Sequence, residues 1–426
     1  MRPIQIPKGL VFAAILGVSC IVASAQAQGP LLGDGVENLL TFARERNPEY
    51  AGMRYEAEAA MERIEPAGAL PDPKFQLELR DITRMGEQNP TLNPSQVGKT
   101  RYLFMQDVPW FGKRDLKREV AELEAESARG QALDVWNQVA AKIKTTYAQR
   151  YYIHRNERLT QEILDLMARL EKIAQVRYAN GLSSQQDVIR AQVEQTGLRN
   201  ELIALEGERR QADARMNALL ARPTTAPLAE SEKLRPLPAP AILEYVGLEG
   251  RVRAHNPLLA AKEARLRAAE KGRDLVYKNR YPDVTFGISP IQYQHSIKEW
   301  ELMAQVNIPL WQAPRRAQER ESEVMISAAR SGVETVAHQV FADLSENLAG
   351  LAAARGTETL VTDSLLPQAE LTFQAAVAGY ETGQVDFATL LDAQRQIRQA
   401  KQNRIKAQAE GQSRLAEVER ILGEDL

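Results

Sequence analysis

The sequence predicts a mostly helical protein with a small β part, in which a β-hairpin followed by a long helical hairpin occurs twice. Three observations predict it: an ordered set of repeated landmarks, short segments that alternate at period two, and nearly proline-free runs with coiled-coil spacing.

The repeat sets the frame. Arg46-Asn47-Pro48 returns as His255-Asn256-Pro257, and Pro71-Asp72 as Pro282-Asp283. Val108-Pro109-Trp110-Phe111 returns as Ile308-Pro309-Leu310-Trp311, and Tyr178-Ala179-Asn180-Gly181 as Tyr380-Glu381-Thr382-Gly383. Each landmark recurs 200 to 211 residues later and in the same order, which isolated chance matches do not produce. The expected organisation is a signal peptide over 1–27, a first repeat over 28–222, a connector over 223–240 and a second repeat over 241–426. Five prolines from Arg222 to Pro240 make that connector extended.

The leader has the layout of a secretory signal. Arg2 and Lys8 precede an uncharged, mostly apolar stretch from Gly9 to Ala23, which ends in small-x-small sites, with cleavage expected near Ala27. That stretch is shorter than the roughly 20 apolar residues a membrane-spanning helix needs. Cys20, the only cysteine, offers a minor alternative, lipidation after cleavage at Gly17-Val18-Ser19. Gly17 is a poor match to lipoprotein signals.

Within each repeat, Asn-Pro ends one helix and starts the next. A β-hairpin is expected over about 74–108 and again over about 283–309. Phe75-Gln76-Leu77-Glu78-Leu79-Arg80 and Val284-Thr285-Phe286-Gly287-Ile288-Ser289 alternate apolar with polar or small residues, as does the return strand from Trp300 to Ile308. Long helical hairpins are expected over about 113–222 and 312–423. Between Trp110 and Arg222 there is no proline, and after Pro314 only Pro367 interrupts. Leu159, Ile163, Leu166, Leu170 and Ile173 follow a 4-3-4-3 spacing, a coiled-coil seam that Leu198, Leu202, Leu205, Ala212, Met216 and Leu219 continue on the next helix. Asn180-Gly181 is the strong stop between them.

Composition narrows the function. The formal charge is -2 and becomes -4 without the leader, with both signs intermixed, so no broad footprint for nucleic acid exists. The part after the leader has no cysteine, which excludes disulfides and thiolate metal sites there. His154, His255, His295 and His338 are scattered without ligand spacing, and no phosphate loop, nucleophile elbow or metalloprotease motif occurs. No enzyme and no cofactor is expected. Four strands cannot close a membrane barrel alone, since the smallest have about eight, and open edges are not tolerated in lipid. They either form a water-soluble sheet or complete a barrel with other copies; strand count alone permits a dimer. Trp110, Trp300 and Trp311 at strand ends, with Tyr102, Phe104, Phe111 and Tyr281 nearby, favour an interfacial aromatic girdle.

The most specific signature is Tyr380-x-x-Gly383 followed by Leu390-Leu391-Asp392-Ala393-Gln394, with a looser first copy in Tyr178-x-x-Gly181 followed by Asp187-Val188-Ile189-Arg190-Ala191-Gln192. Over essentially all of the chain after the leader, this resembles the TolC-type outer-membrane efflux protein family. Pro109-Trp110-Phe111-Gly112-Lys113-Arg114 resembles its heavy-metal branch, the cobalt-zinc-cadmium resistance type. The resemblance implies a homotrimer whose twelve strands form a β-barrel in outer-membrane lipid, above a periplasmic α-barrel of long helical hairpins. It implies a passive duct in a tripartite efflux system of a Gram-negative bacterium, with an inner-membrane RND-type pump and a periplasmic adaptor (a membrane fusion protein) as partners. Heavy-metal cations are the implied cargo, with drugs or other small molecules as the alternative.

By the same resemblance, Tyr178, Gly181, Tyr380 and Gly383 mark hairpin tips that contact the adaptor, and Asp187, Tyr380 and Asp392 form a periplasmic gate. Thr389 and Val385 stand where many members carry a second aspartate and some an arginine, so the gate is plainer than the family pattern. A soluble periplasmic coiled-coil adaptor or scaffold is the rival from another class. It leaves with the periplasmic contents, whereas a duct needs detergent for extraction.

Overall fold

The computed structural model describes residues 32–426, so the leader, its cleavage near Ala27 and Cys20 lie outside the described residues. Each repeat opens with two helices broken at Asn-Pro: α1 (Val36–Arg46) and α2 (Pro48–Glu62), then a single turn α3 (Ile64–Gly68), in the first copy. Each repeat closes with a long returning helix, α5 (Gln185–Leu219) or α10 (Phe387–Leu422). In the second copy the opening pair is α6 (Tyr245–His255) and α7 (Pro257–Lys278).

The repeated asparagine does two jobs. Its side chain caps the second helix: Asn47 Oδ1 accepts from the Tyr50 amide at 3.0 Å, and Asn256 Oδ1 from the Leu259 amide at 2.8 Å. Its Nδ2 then donates across the repeat, Asn47 to the Leu219 carbonyl and Asn256 to the Ile421 carbonyl, both at 2.8 Å. Those carbonyls belong to the last turns of α5 and α10, where helical acceptors lack partners of their own. One buried side chain starts a helix and ties down the final helix of its own repeat, in both copies.

Strands β1 (Lys74–Arg80), β2 (Lys99–Val108), β3 (Val284–Tyr293) and β4 (Ser296–Val306) form one antiparallel sheet in the order β1-β2-β3-β4. The β2–β3 pairing joins the repeats, while β1 and β4 are left as open edges.

Helix α4 (Lys113–Ala179) has 67 residues, about 100 Å at 1.5 Å per residue. It runs from the sheet to the first tip, where α5 turns back. The second hairpin goes down as α8 (Gln312–Leu360), a π-helical turn at Val361–Leu365, and α9 (Leu366–Thr382), then returns as α10. The π turn precedes Pro367, whose ring has no N–H and crowds the preceding turn. Of the expected seam, Leu159, Ile163 and Leu170 bury against Leu198 of α5 and Leu390 and Leu391 of α10, while Leu166 and Ile173 are only partly buried and Met167 takes a core position beside them. Each fully buried side chain contributes about 1.5–3 kcal/mol of burial.

The connector, extended up to a short 3₁₀ turn at Pro240–Leu243, lies across these helices. Arg150 donates to the Ala229 carbonyl at 2.8 Å and to Ser231 Oγ at 3.1 Å, and Tyr147 Oη donates to the Lys233 carbonyl at 3.0 Å. Arg235 pairs with buried Glu419 at 2.8 Å, and Lys144 pairs with the same carboxylate at 2.7 Å.

Candidate functional site

The two faces of the sheet differ in kind. The register sets Phe75, Phe104, Ile288 and Leu302 opposite one another in a single row, all exposed. Phe286 and Trp300 fall on the same face and are exposed too. On the other face Asp107, Thr285 and Gln305 form a row. There Arg101 reaches Glu301 at 3.1 Å and Glu78 at 3.8 Å and donates to Ser289 Oγ at 3.0 Å. Alternation of apolar and polar faces, with β4 exposed along nearly its whole length, is the pattern of a segment of a larger membrane barrel.

Where strands become helices, the Pro109-Trp110-Phe111-Gly112-Lys113-Arg114 motif builds a joint. Trp110 stacks on Tyr281 with ring centroids 5.3 Å apart and planes 7° from parallel. Gly112 has φ +78°, a left-handed conformation that glycine adopts without steric cost. This turn lets Lys113 bury and bond both Asp283 Oδ1 at 2.8 Å and the Tyr281 carbonyl at 2.9 Å. Asp283 also accepts from the Trp110 amide at 2.8 Å. The motif therefore binds the first repeat to the second.

At the far end of the helices, the two turns sit side by side. Gly181 and Gly383 have φ +71° and +81°, and both turns close by a bond from the residue after the glycine: Leu182 amide to Arg177 carbonyl and Gln384 amide to Gly379 carbonyl, each 2.8 Å. Arg177 crosses between them, donating to the Glu381 carbonyl at 2.7 Å, with its guanidinium 5.1 Å over the Tyr380 ring. The returning helices start on different caps. Asp386 accepts from the Thr389 amide at 2.9 Å and hydroxyl at 2.7 Å, and these bonds hold its carboxyl below the usual aspartate range. Ser184 precedes α5, and its hydroxyl donates to Asp187 at 3.3 Å.

The residues expected at a gate separate into two environments. Tyr380 is buried, and its hydroxyl forms no hydrogen bond among the described residues. Burial pushes that hydroxyl's pKa up, and the nearby Asp187 charge adds to the effect. Asp392 lies elsewhere, exposed in a groove between α5 and α10 with Ile189, Arg190 and Arg395, and 3.9 Å from the Arg395 guanidinium. Arg395 itself pairs with Glu194 at 2.8 Å. Tyr178 is exposed. Sequence reasoning missed Arg177 and Asp386; an arginine in the last turn before a glycine stop, and Asp-x-x-Thr opening the next helix, were the available signals.

Comparison with known proteins agrees with this architecture. The family model described as outer membrane efflux protein matches residues 39–222 and 248–424. The cobalt-zinc-cadmium resistance protein CzcC of Cupriavidus metallidurans is 25% identical over 445 residues, covering 99% of this chain and all of that one. The pyoverdine export outer membrane protein OpmQ of Pseudomonas putida is 22% identical, covering 88% of this chain and 82% of that one. Among solved structures, CusC superposes with a TM-score of 0.77 at 17% identity, covering 92% of this chain and 93% of that one. The outer membrane protein VceC of Vibrio cholerae gives 0.76 at 16%, covering 92% and 96%. The expected fold is thus found, and the chain belongs to the outer membrane efflux protein family, as an outer-membrane duct with a long periplasmic helical extension.

Proposed function

We propose that three copies of this chain close one twelve-strand barrel and that the assembly is the exit duct of a tripartite efflux system carrying heavy-metal cations. The observation that carries the reading is the open sheet of four strands, apolar on one face and polar on the other, with two unpaired edges. Edges of unsatisfied backbone are not stable in lipid, and pairing β1 of one copy with β4 of the next removes all of them. Exposed apolar side chains also stand on the helices, Ile189, Val193 and Ile203 on α5, and Leu360 and Leu371 on α8 and α9. A head-to-tail ring of copies would bring these together.

The hairpin tips then face the periplasmic adaptor, with Tyr178, Gly181, Tyr380 and Gly383 at the contact, and the adaptor links the duct to an inner-membrane RND-type pump. Asp187, Tyr380 and Asp392 line the periplasmic gate in this reading. Metal cations are preferred as cargo because the relative matched end to end is a cobalt-zinc-cadmium resistance protein. Native mass spectrometry of the detergent-extracted protein tests the assembly, and a monodisperse monomer overturns it. Deletion and complementation tests the cargo. Loss of tolerance to cobalt, zinc or cadmium supports metal export, and loss of tolerance only to organic compounds replaces it.

A further inference from the structure

We infer that the ring of cations just below the sheet binds the anionic headgroups of phospholipids in the periplasmic leaflet of the outer membrane. The inference rests on the outer-membrane location given above. It concerns lipid, not cargo or adaptor.

The charge is placed unevenly. The stretches at the helix end of the sheet, 70–74, 107–120, 277–283 and 307–320, contain ten lysines and arginines against six carboxylates, in a chain whose formal charge is -2. At the opposite end, residues 81–99 and 293–299 hold three of each. Four of the six carboxylates at the helix end are already engaged. Asp107 pairs with Lys74, Asp283 with Lys113, Glu119 with Lys271 and Glu319 with Arg280. Within these stretches only Asp72 and Asp115 are left unpaired against Arg114, Lys117, Lys278, Arg315, Arg316 and Arg320, none of which forms an ion pair among the described residues, and Glu321 and Glu323 follow one turn farther from the sheet on α8.

Their surroundings match a lipid surface. Phe111, Leu310 and Trp311 are 83%, 74% and 82% exposed and sit between the strands and these cations. Exposed aromatics at that level occupy the headgroup zone of a bilayer. Cations one or two helical turns below therefore stand where lipid phosphates lie, and long side chains can rise to meet them while their stems cover apolar surface. Three are already held near that level: Lys278 lies 5.9 Å from the Tyr281 ring centre, Arg315 donates to the Asn279 carbonyl, and Arg114 donates to the Gly68 carbonyl at 2.8 Å. A phosphate offers acceptors to guanidinium and ammonium groups together, and a lipid with net negative charge leaves the attraction uncancelled.

The test uses the full-length protein extracted from membranes. Retention of phosphatidylglycerol and of phosphatidylcholine with the same acyl chains is measured by native mass spectrometry. We expect preferential retention of phosphatidylglycerol, falling as salt shortens the Debye length. Lys278→Gln/Arg316→Gln should weaken it, with a loss of about fivefold in affinity per cation removed. Arg84→Gln/Lys298→Gln, at the opposite end of the sheet, should leave it unchanged. Equal retention of the two lipids, or no salt dependence in the unmodified protein, overturns the inference without any variant having to fold. An equal loss in both double variants overturns it as well. Failure to fractionate with the outer membrane would instead overturn the location on which it rests.

Discussion

Arg177 joins the two hairpin turns to each other, its guanidinium 5.1 Å over the Tyr380 ring and bonded to the neighbouring Glu381 carbonyl at 2.7 Å. A charge-assisted hydrogen bond and a cation–π contact together are worth about 2 kcal/mol, more than tenfold in the balance between docked and released turns. Arg177→Gln should therefore raise the resting conductance in planar bilayers and speed amide exchange in residues 378–386. Unchanged exchange would mean that the turns are held by the buried seam alone.

Tyr380 behaves differently from Arg177. Its buried hydroxyl has no hydrogen-bond partner among the described residues, and a buried unsatisfied group costs about 1–3 kcal/mol. Tyr380→Phe should then keep the tip closed and leave the thermal midpoint equal or higher, while Tyr380→Ala opens a cavity and lowers it. A lower midpoint for Tyr380→Phe would show that the hydroxyl finds a bond on another copy, with Asp187 the first acceptor to examine.

The Asp386 cap gives the second tip a pH dependence. Thr389's hydroxyl and amide hold the Asp386 carboxyl below its ordinary 3.8. A depressed carboxyl pKa means that the folded tip binds the proton less tightly than the unfolded one. The cap's contribution is complete above about pH 4 and is lost as pH falls below it. The protection of the Thr389 amide, its exchange taken relative to the unstructured rate at the same pH, should fall below that pH in the unmodified chain. In Asp386→Asn, which caps without a charge, exchange should not show the step.

How much was legible depended on how local the chemistry was. Asn47 and Asn256 announced themselves because a cap and a following proline are neighbours in sequence. The two sheet faces could be read from alternation along β1 and β3. The Arg177–Glu381 and Lys144–Glu419 contacts span 204 and 275 residues, and no spacing rule connects such partners. Asp392 comes from the family resemblance alone, and its neighbour in the structure is Arg395, 3.9 Å away and one turn on in the same helix.

The buried pair itself makes a strong prediction. Lys144 and Glu419 are 7% and 2% exposed and 2.7 Å apart, and Arg235 from the connector shares the carboxylate. Lys144 also pairs with the exposed Asp425, so removing Glu419 leaves Arg235 without its carboxylate and Lys144 on that one outer partner, at a cost of about 3 kcal/mol. Glu419→Leu alone should lower the thermal midpoint and release the connector to proteolysis near Arg235. Adding Lys144→Met should recover most of the loss, and equal damage in the single and double variants would remove the pair from the account.

The sheet supplies a sharper contrast, because adjacent residues of β4 point to opposite solvents. Leu302 is 85% exposed in the row with Phe75, Phe104 and Ile288, whereas Glu301 pairs with Arg101 on the polar face. If the apolar row meets lipid, Leu302→Arg places a charge in hydrocarbon at a cost of about 2–4 kcal/mol near the midplane. The change should reduce assembly into outer membranes and the midpoint of urea unfolding in bilayers. Glu301→Gln removes one partner of an ion pair in a water-filled lumen, where screening leaves such a pair worth about 0–1 kcal/mol. Its effect should fall on conductance and ion preference, with stability nearly unchanged. The two substitutions are neighbours on one strand at nearly the same depth, so the contrast between them bears on which way each side chain faces. Reversed effects would place lipid on the Arg101 face, and equal small effects would remove the sheet from the membrane altogether.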